Sequence, residues 1–191
     1  ADEWLSEAAS ISVAATDALS GLATFTAQVD DGPVVADPAT VAVSASGVHR
    51  VRLTATDAAG NTSEESFTVR IDRDPPETTA DYADEDTWRS EPVTVRLTAV
   101  DALSGVAQSS FTSSGHVTDG TALTVDIDGV TEVAYRSTDR AGNIEAGGTV
   151  TVRIDRTPPV ITHDGPSADE WLSEAASISV AATDALSGVA T

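Results

Sequence analysis

The chain has no cysteine, no methionine and no lysine, and aromatic residues make up only 4% of its 191 residues. Without cysteine there is no disulfide and no thiol chemistry. Small modules outside a cell then need another staple, and bound metal is one option. The 10 basic residues are all arginine and face 31 acidic ones, for a formal net charge of −21. That balance argues against nucleic-acid binding, which needs a basic footprint, and against an anionic membrane surface. No run approaches the ~18 consecutive apolar residues of a membrane span, so no membrane insertion is expected in this segment. Three readings of the acidity stand open: solubility of a long secreted polymer, charge balanced by bound divalent cations, or a high-salt habitat.

What the sequence does have is repetition, the first thing to look for because missing it miscalls the whole fold. ADEWLSEAASISVAATDALSGLAT at 1–24 returns at 168–191 with Leu22 replaced by Val189. A more diverged copy lies between them. DEWLSE (2–7) recurs as DTWRSE (86–91), TDALSG (16–21) as VDALSG (100–105), TDAAGN (56–61) as TDRAGN (138–143), and IDRDPP (71–76) as IDRTPP (154–159). The repeat is about 83 residues long, too long for the usual solenoid periods of roughly 20 to 50 and suited to a small autonomous domain. The expected division is 1–76 as a first module lacking its first strand, 77–159 as a complete second module, and 160–191 as strands A and B of a third.

Within each module the apolar residues alternate with period two. Val93, Val95, Leu97 and Ala99 alternate with Thr94, Arg96 and Thr98; Val150, Val152 and Ile154 alternate with Thr151 and Arg153. One aliphatic face and one Thr, Ser and Arg face is what a half-buried antiparallel strand requires. Turn residues separate the runs, as in Asp-Ala-Leu-Ser-Gly, Asp30 to Pro33, and Asp-Ala-Ala-Gly-Asn. Reading on from Pro76 gives seven strands: A near 78–81, B at 93–100, C at 106–112, a weak C′ or D near 114–118, E at 123–127, F at 131–138 and G at 149–155. The expected fold class is all-β, tandem immunoglobulin-like β-sandwich modules of about seven strands each. ADEWLSEAAS is rich in helix formers but is expected to be the A–B connection.

The D-x-x-S-G-V-A, D-x-A-G-N and V-x-I-D-R-x-x-P patterns resemble the bacterial Ig-like repeats of large surface proteins, of the OmpL47-like or Big type. The resemblance covers nearly the whole chain. It implies an extracellular or cell-surface, multi-copy stalk, adhesin or enzyme-accessory module. One segment departs from it: where such repeats often carry Y-x-x-D-G-G-x-W, this chain has FTAQVDDGPVV (25–35) and FTSSGHVTDG (111–120).

In an Ig-like sandwich the B–C and F–G turns lie at the end where strand A begins, and strand G finishes at the other. The linker leaving one module therefore meets the turns of the next. Asp72 and Asp74 are expected to approach Asp101, Asp139 and Asn143, and Asp155 to approach Asp184. The acidic residues Asp84, Glu85, Asp86 and Asp128 are expected to add charge from the far pole. Converging carboxylates repel unless protonated or bridged by a cation, and oxygen ligands in a flexible junction suit calcium. No compact D-x-[DN]-x-[DN]-G loop is present. One alternative is that the turn aspartates Asp17, Asp57, Asp101, Asp139 and Asp184 only shape their turns; the main rival to calcium is that Arg73 and Arg156 neutralise the junction through ion pairs.

Pro75, Pro76, Pro158 and Pro159 remove donors and fix φ, giving short stiff linkers. Trp4, Trp88 and Trp171 recur at one position, either as plugs at the module base or as an aromatic contact for a sugar. His49, His116 and His163 do not recur in register and are expected to be exposed. No nucleophile–base pair recurs and no phosphate-cradling glycine loop exists, so no enzymatic activity is expected. The expected role is a semi-rigid structural spacer whose partners are neighbouring modules of the same chain or identical chains. The alternatives are an adhesive module with a cell-surface or glycan ligand, and a subunit of a strand-exchanging filament.

Overall fold

The computed structural model describes residues 3–83, 86–166 and 171–190, and these contain strands and turns but no helix. Residues 77–154 form two facing sheets. The first holds β8 (Glu77–Ala80), β9 (Val93–Val100) and β12 (Ala122–Val125) in the order β12-β9-β8. The second holds β10 (Val106–Ser113), β11 (His116–Asp119), β13 (Gly129–Asp139) and β14 (Gly148–Ile154) in the order β11-β10-β13-β14. All neighbours are antiparallel. This is a seven-stranded two-sheet sandwich, and each strand lies within about two residues of its expected place.

The alternation sets which face is buried. In β9, Val95 and Leu97 point inward while Thr94, Arg96 and Thr98 stand outside. Phe111 of β10, Val133 of β13, and Val150, Val152 and Ile154 of β14 complete the core from the opposite sheet. A polar thread crosses it. The buried Ser109 and Ser137 hydroxyls share a hydrogen bond (2.7 Å), Thr78 joins Ser137 (2.7 Å), and Glu145 accepts from the Thr78 N–H (3.0 Å). Glu145 thereby staples the loop before β14 to strand β8, satisfying groups that would otherwise be costly to bury.

Residues 4–71 repeat the plan. β3 (Leu22–Val29), β4 (Val35–Ala36), β6 (Gly47–Asp57) and β7 (Thr62–Ile71) form one sheet, and β2 (Ala9–Ser12) pairs with β5 (Thr40–Val43) in the other. Val41, Val43, Val51, Val69 and Ile71 form their core. Further on, β15 (Val160–His163) and β16 (Val180–Thr183) form an antiparallel pair.

One expectation needs correcting. DEWLSE is not merely a connection: β1 (Trp4–Leu5) runs parallel to the end of β7, with Trp4 opposite Arg70 and Leu5 opposite Ile71. DTWRSE repeats this through a parallel bridge between Arg89 and Ile154. The edge of strand G offers free backbone groups near its end, and this short segment pairs with them.

Candidate functional site

The site lies where β7 ends. The N–H of Asp72 donates to the carbonyl of Leu5 (2.8 Å), so the short parallel segment fixes the backbone of the last residue before the linker. In the next copy the N–H of Asp155 donates to Arg89 in the same way (2.8 Å). Side-chain carboxylates leave from these anchored positions.

The receiving surface is made of two turns. In the turn after β9, Asp101 Oδ1 accepts the N–H groups of Leu103 (3.2 Å) and Gly105 (2.6 Å), and Gly105 has φ +78°. Only a residue without Cβ holds that conformation cheaply. In the turn after β13, Asp139 accepts the Asn143 N–H (2.7 Å) and its amide Nδ2 (2.7 Å). These Asx turns use Asp to cap its own backbone, as the motifs suggested.

The linker enters between them. Ser104 N–H donates to Asp72 Oδ2 (2.9 Å) and Asp74 N–H donates to Asp72 Oδ1 (3.2 Å). Asn143 Nδ2 also reaches the main-chain carbonyls of Asp72 (2.8 Å) and Asp74 (3.4 Å). Asp72 is fully buried, and Asp139 and Ser104 are nearly so. Burial pushes the Asp72 carboxyl up, but the Ser104 hydroxyl and N–H and the Asp74 N–H hold it below the ordinary carboxylate value.

The geometry repeats at the next copy. Ser187 N–H donates to Asp155 Oδ2 (2.9 Å) and Thr157 N–H to Asp155 Oδ1 (3.0 Å), while Asp184 caps Leu186 (3.1 Å) and Gly188 (2.8 Å). The Ser187 hydroxyl, its N–H and the Thr157 N–H lower the Asp155 carboxyl.

Asp72, Asp101 and Asp139 present one carboxylate oxygen each, all within 4.8 Å of one another. Asp74 contributes its backbone rather than its side chain to the described contacts. Oxygen donors from three separate loops are a donor set suited to a hard divalent cation. The rival neutraliser Arg156 points elsewhere: its Nε donates to Asp128 (2.8 Å) and its Nη1 to Asp126 (2.5 Å), both in the loop before β13. Those acids raise the Arg156 pKa, Asp128 most. Arg73 is exposed.

Other expectations are altered. Asp128 is paired with Arg156, and Asp86 with Arg153 (3.0 Å), so these far-pole acids are balanced rather than added to the junction charge; Asp84 and Glu85 lie outside the described residues. His49 is not a free surface residue. It is half-buried and sits between Asp30 Oδ2 (2.8 Å) and the Ala45 carbonyl (3.0 Å) because β6 brings it beside the turn that Asp30 opens. His116 and His163 are exposed. Pro76 is buried, while Pro75, Pro158 and Pro159 are exposed. Trp4 and Trp88 are half-buried and Trp171 is 97% exposed. Sequence reasoning missed the serine of D-A-L-S-G as the receiver of the linker carboxylate. Its recurrence in all three copies was the available signal.

The fold and junction define a chain of all-β, Ig-like sandwich modules. No protein-family profile matches the sequence, and no curated protein sequence matches it. Among solved structures it is similar to the fibronectin(III)-like modules of Clostridium thermocellum CbhA, at 15% identity and TM-score 0.40, covering 82% of this chain and 90% of that one. It is similar to the N-terminal eight Ig domains of Down Syndrome Cell Adhesion Molecule, at 12% identity and TM-score 0.39, covering 84% of this chain and 26% of that one. A third similarity is to SGBP-B of the Bacteroides ovatus mixed-linkage glucan utilization locus, in complex with a mixed-linkage heptasaccharide. There the identity is 14% and the TM-score 0.29, with 87% of this chain and 70% of that one covered. No helix among the described residues is long and apolar enough to cross a membrane.

Proposed function

We propose that this chain is a segment of a semi-rigid extracellular spacer, a rod of Ig-like modules related to bacterial surface-protein repeats. The observation that carries the reading is the buried carboxylate of Asp72, which crosses from the end of one sandwich to the Ser104 N–H of the next. Asn143 closes on the same linker from the second turn. A flexible string of beads has no use for a carboxylate buried in its linker, because burial costs free energy unless the group is fully paired. Proline at 75 and 76 then limits the remaining backbone freedom.

Calcium at Asp72, Asp101 and Asp139 is part of this proposal. Its support is the convergence of three carboxylate oxygens, one each from Asp72, Asp101 and Asp139, within 4.8 Å. A glycan-binding role has less behind it, since Trp4 and Trp88 are half-buried and only Trp171 stands exposed.

The rod is tested by residual dipolar couplings measured on the two sandwiches separately. One shared alignment tensor is expected for the wild-type chain, and two different tensors for the double variant Asp72→Ala, Asn143→Ala. Independent tensors in the wild type would remove the spacer reading.

A further inference from the structure

The first sandwich carries the same pair of turns that receives the linker in the second. Asp17 Oδ1 accepts the N–H groups of Leu19 (3.1 Å) and Gly21 (2.7 Å). Asp57 accepts the Asn61 N–H (2.8 Å) and Nδ2 (2.7 Å). The two turns are joined by the Ala58 N–H donating to the Gly21 carbonyl (2.9 Å), as Arg140 joins Gly105 (3.0 Å) in the second sandwich. The donors are therefore arranged as they are around Asp72.

Exposure records what covers the equivalent surface elsewhere. Leu19 is 98% exposed, whereas Leu103 and Leu186 are 39% and 40% exposed beside their linkers. Ser20 is exposed, as is Ser187 beside its linker, whereas Ser104 is 3% exposed where both turns close on the linker; Asp57 is half-buried where Asp139 is 2% exposed. Leu103 lines one groove with Asp72, Asp74 and Pro75, which places the linker beside it.

We infer that the pole formed by residues 17–21 and 57–61 is a preformed socket for the Ile-Asp-Arg-Xaa-Pro-Pro linker of a further module of this type, joined in line ahead of it. Two cases in this chain show the recognition chemistry: the serine N–H takes the linker aspartate at Ser104 and at Ser187, both at 2.9 Å. The Asn61 amide, like that of Asn143, is placed to take the main-chain carbonyl of the same aspartate. This rests on the reading of the junction as a fixed joint.

The test extends the whole chain by placing a second copy of residues 77–167 directly before Ala1, in the register that the repeat prescribes. Amide hydrogen exchange is then followed at Ser20 and Ser104 in the extended and the 191-residue proteins. Ser20 is expected to exchange at least about tenfold more slowly in the extended protein. Replacing the aspartate of the added linker by alanine returns it to the faster rate, while Ser104 stays protected throughout. Unchanged Ser20 exchange with Ser104 protected overturns the socket alone. Fast exchange at Ser104 in both proteins takes down the fixed joint and the socket together. Ser20 protection that rises with concentration in the 191-residue chain overturns the in-line partner in favour of a second copy.

Discussion

Replacing Asp72 by asparagine separates two accounts of the junction, because it keeps the side chain's shape and one carbonyl acceptor but deletes a charge. Asp72 lies within 4.8 Å of carboxylate oxygens from Asp101 and Asp139, so each like-charge contact costs about 3.5 kcal/mol at an effective dielectric of ~20. Against this stand the hydrogen bonds from Ser104 and Asp74 N–H groups, each worth ~1.5–3 kcal/mol to a charged acceptor. With no cation, the hydrogen bonds outweigh the repulsion, since they hold the carboxyl below its ordinary value, and Asp72→Asn is destabilising by the same amount in calcium and in chelator. With calcium bound, the same substitution removes a ligand. At 10 mM calcium, a site with the ~0.1–1 mM dissociation constant usual for extracellular modules stabilises by about 1.4–2.7 kcal/mol. At about 4–8 °C per kcal/mol for a module of this size, that is a rise of roughly 6–22 °C in Tm. The assay is differential scanning calorimetry of wild type and variant, in 10 mM calcium and in chelator. The expected result is a calcium-dependent rise in the wild type that Asp72→Asn abolishes. A wild-type Tm that ignores calcium refutes the metal and leaves the hydrogen-bonded joint to stand on its own.

Other expectations follow from single contacts. Asn143→Ala removes the amide that bridges Asp139 and the linker carbonyls, and should cost about 1–3 kcal/mol, read as a lower urea midpoint at unchanged slope. Phe111→Ala empties a fully buried position between the sheets and should cost ~3–5 kcal/mol, enough to lose most of a marginal module's stability by circular dichroism melting. The Asp30–His49 pair gives a pH signature. Its hydrogen bond to Asp30, above all, raises His49 from the ordinary 6.5, so that contribution is complete below 6.5 and fades as pH rises through the folded value. The His49 hydrogen bond, first, lowers Asp30 from 3.8, so its contribution is present above 3.8 and fades as pH falls through the folded value. The stability difference between wild type and His49→Ala should therefore be larger at pH 5.5 than at pH 8.5; an equal difference would deny the charged pair.

The strands were legible because a half-buried sheet writes its two faces into alternate residues, as Val95 and Leu97 against Arg96 do. The turns were legible because Asp, Gly and Asn at fixed offsets have one conformational use. Topology then brought Asp72 toward Asp101 and Asp139 without any local signal linking them. What escaped were contacts made by backbone groups, since a main-chain N–H or carbonyl leaves no residue type behind. The Ser104 N–H, the Leu5 carbonyl and the Arg89 carbonyl belong to this class. His49 escaped for a different reason: its partner Asp30 is distant in sequence and brought near only by the β3–β6 register.

The junction aspartate has two jobs that a single side chain must perform together. Its backbone N–H closes the parallel bridge to Leu5, and its carboxylate crosses to Ser104. Orientation of the next module is thereby tied to the register of the last strand of the one before. A slip of one residue in β7 would turn the carboxylate to the opposite face and strip the Ser104 N–H of its acceptor. The same coupling recurs through Arg89, Asp155 and Ser187. The DEWLSE and IDRxPP motifs are therefore partners within one module, and IDRxPP and DALSG are partners across a joint. That explains why copies diverge at many other positions yet keep all three. Exchanging Asp155 for glutamate tests the argument, because it adds a methylene but keeps the charge. The Ser187 amide should then lose its protection while the strand bridge to Arg89 persists, and equal protection in both proteins would show that the length of this side chain does not set the joint.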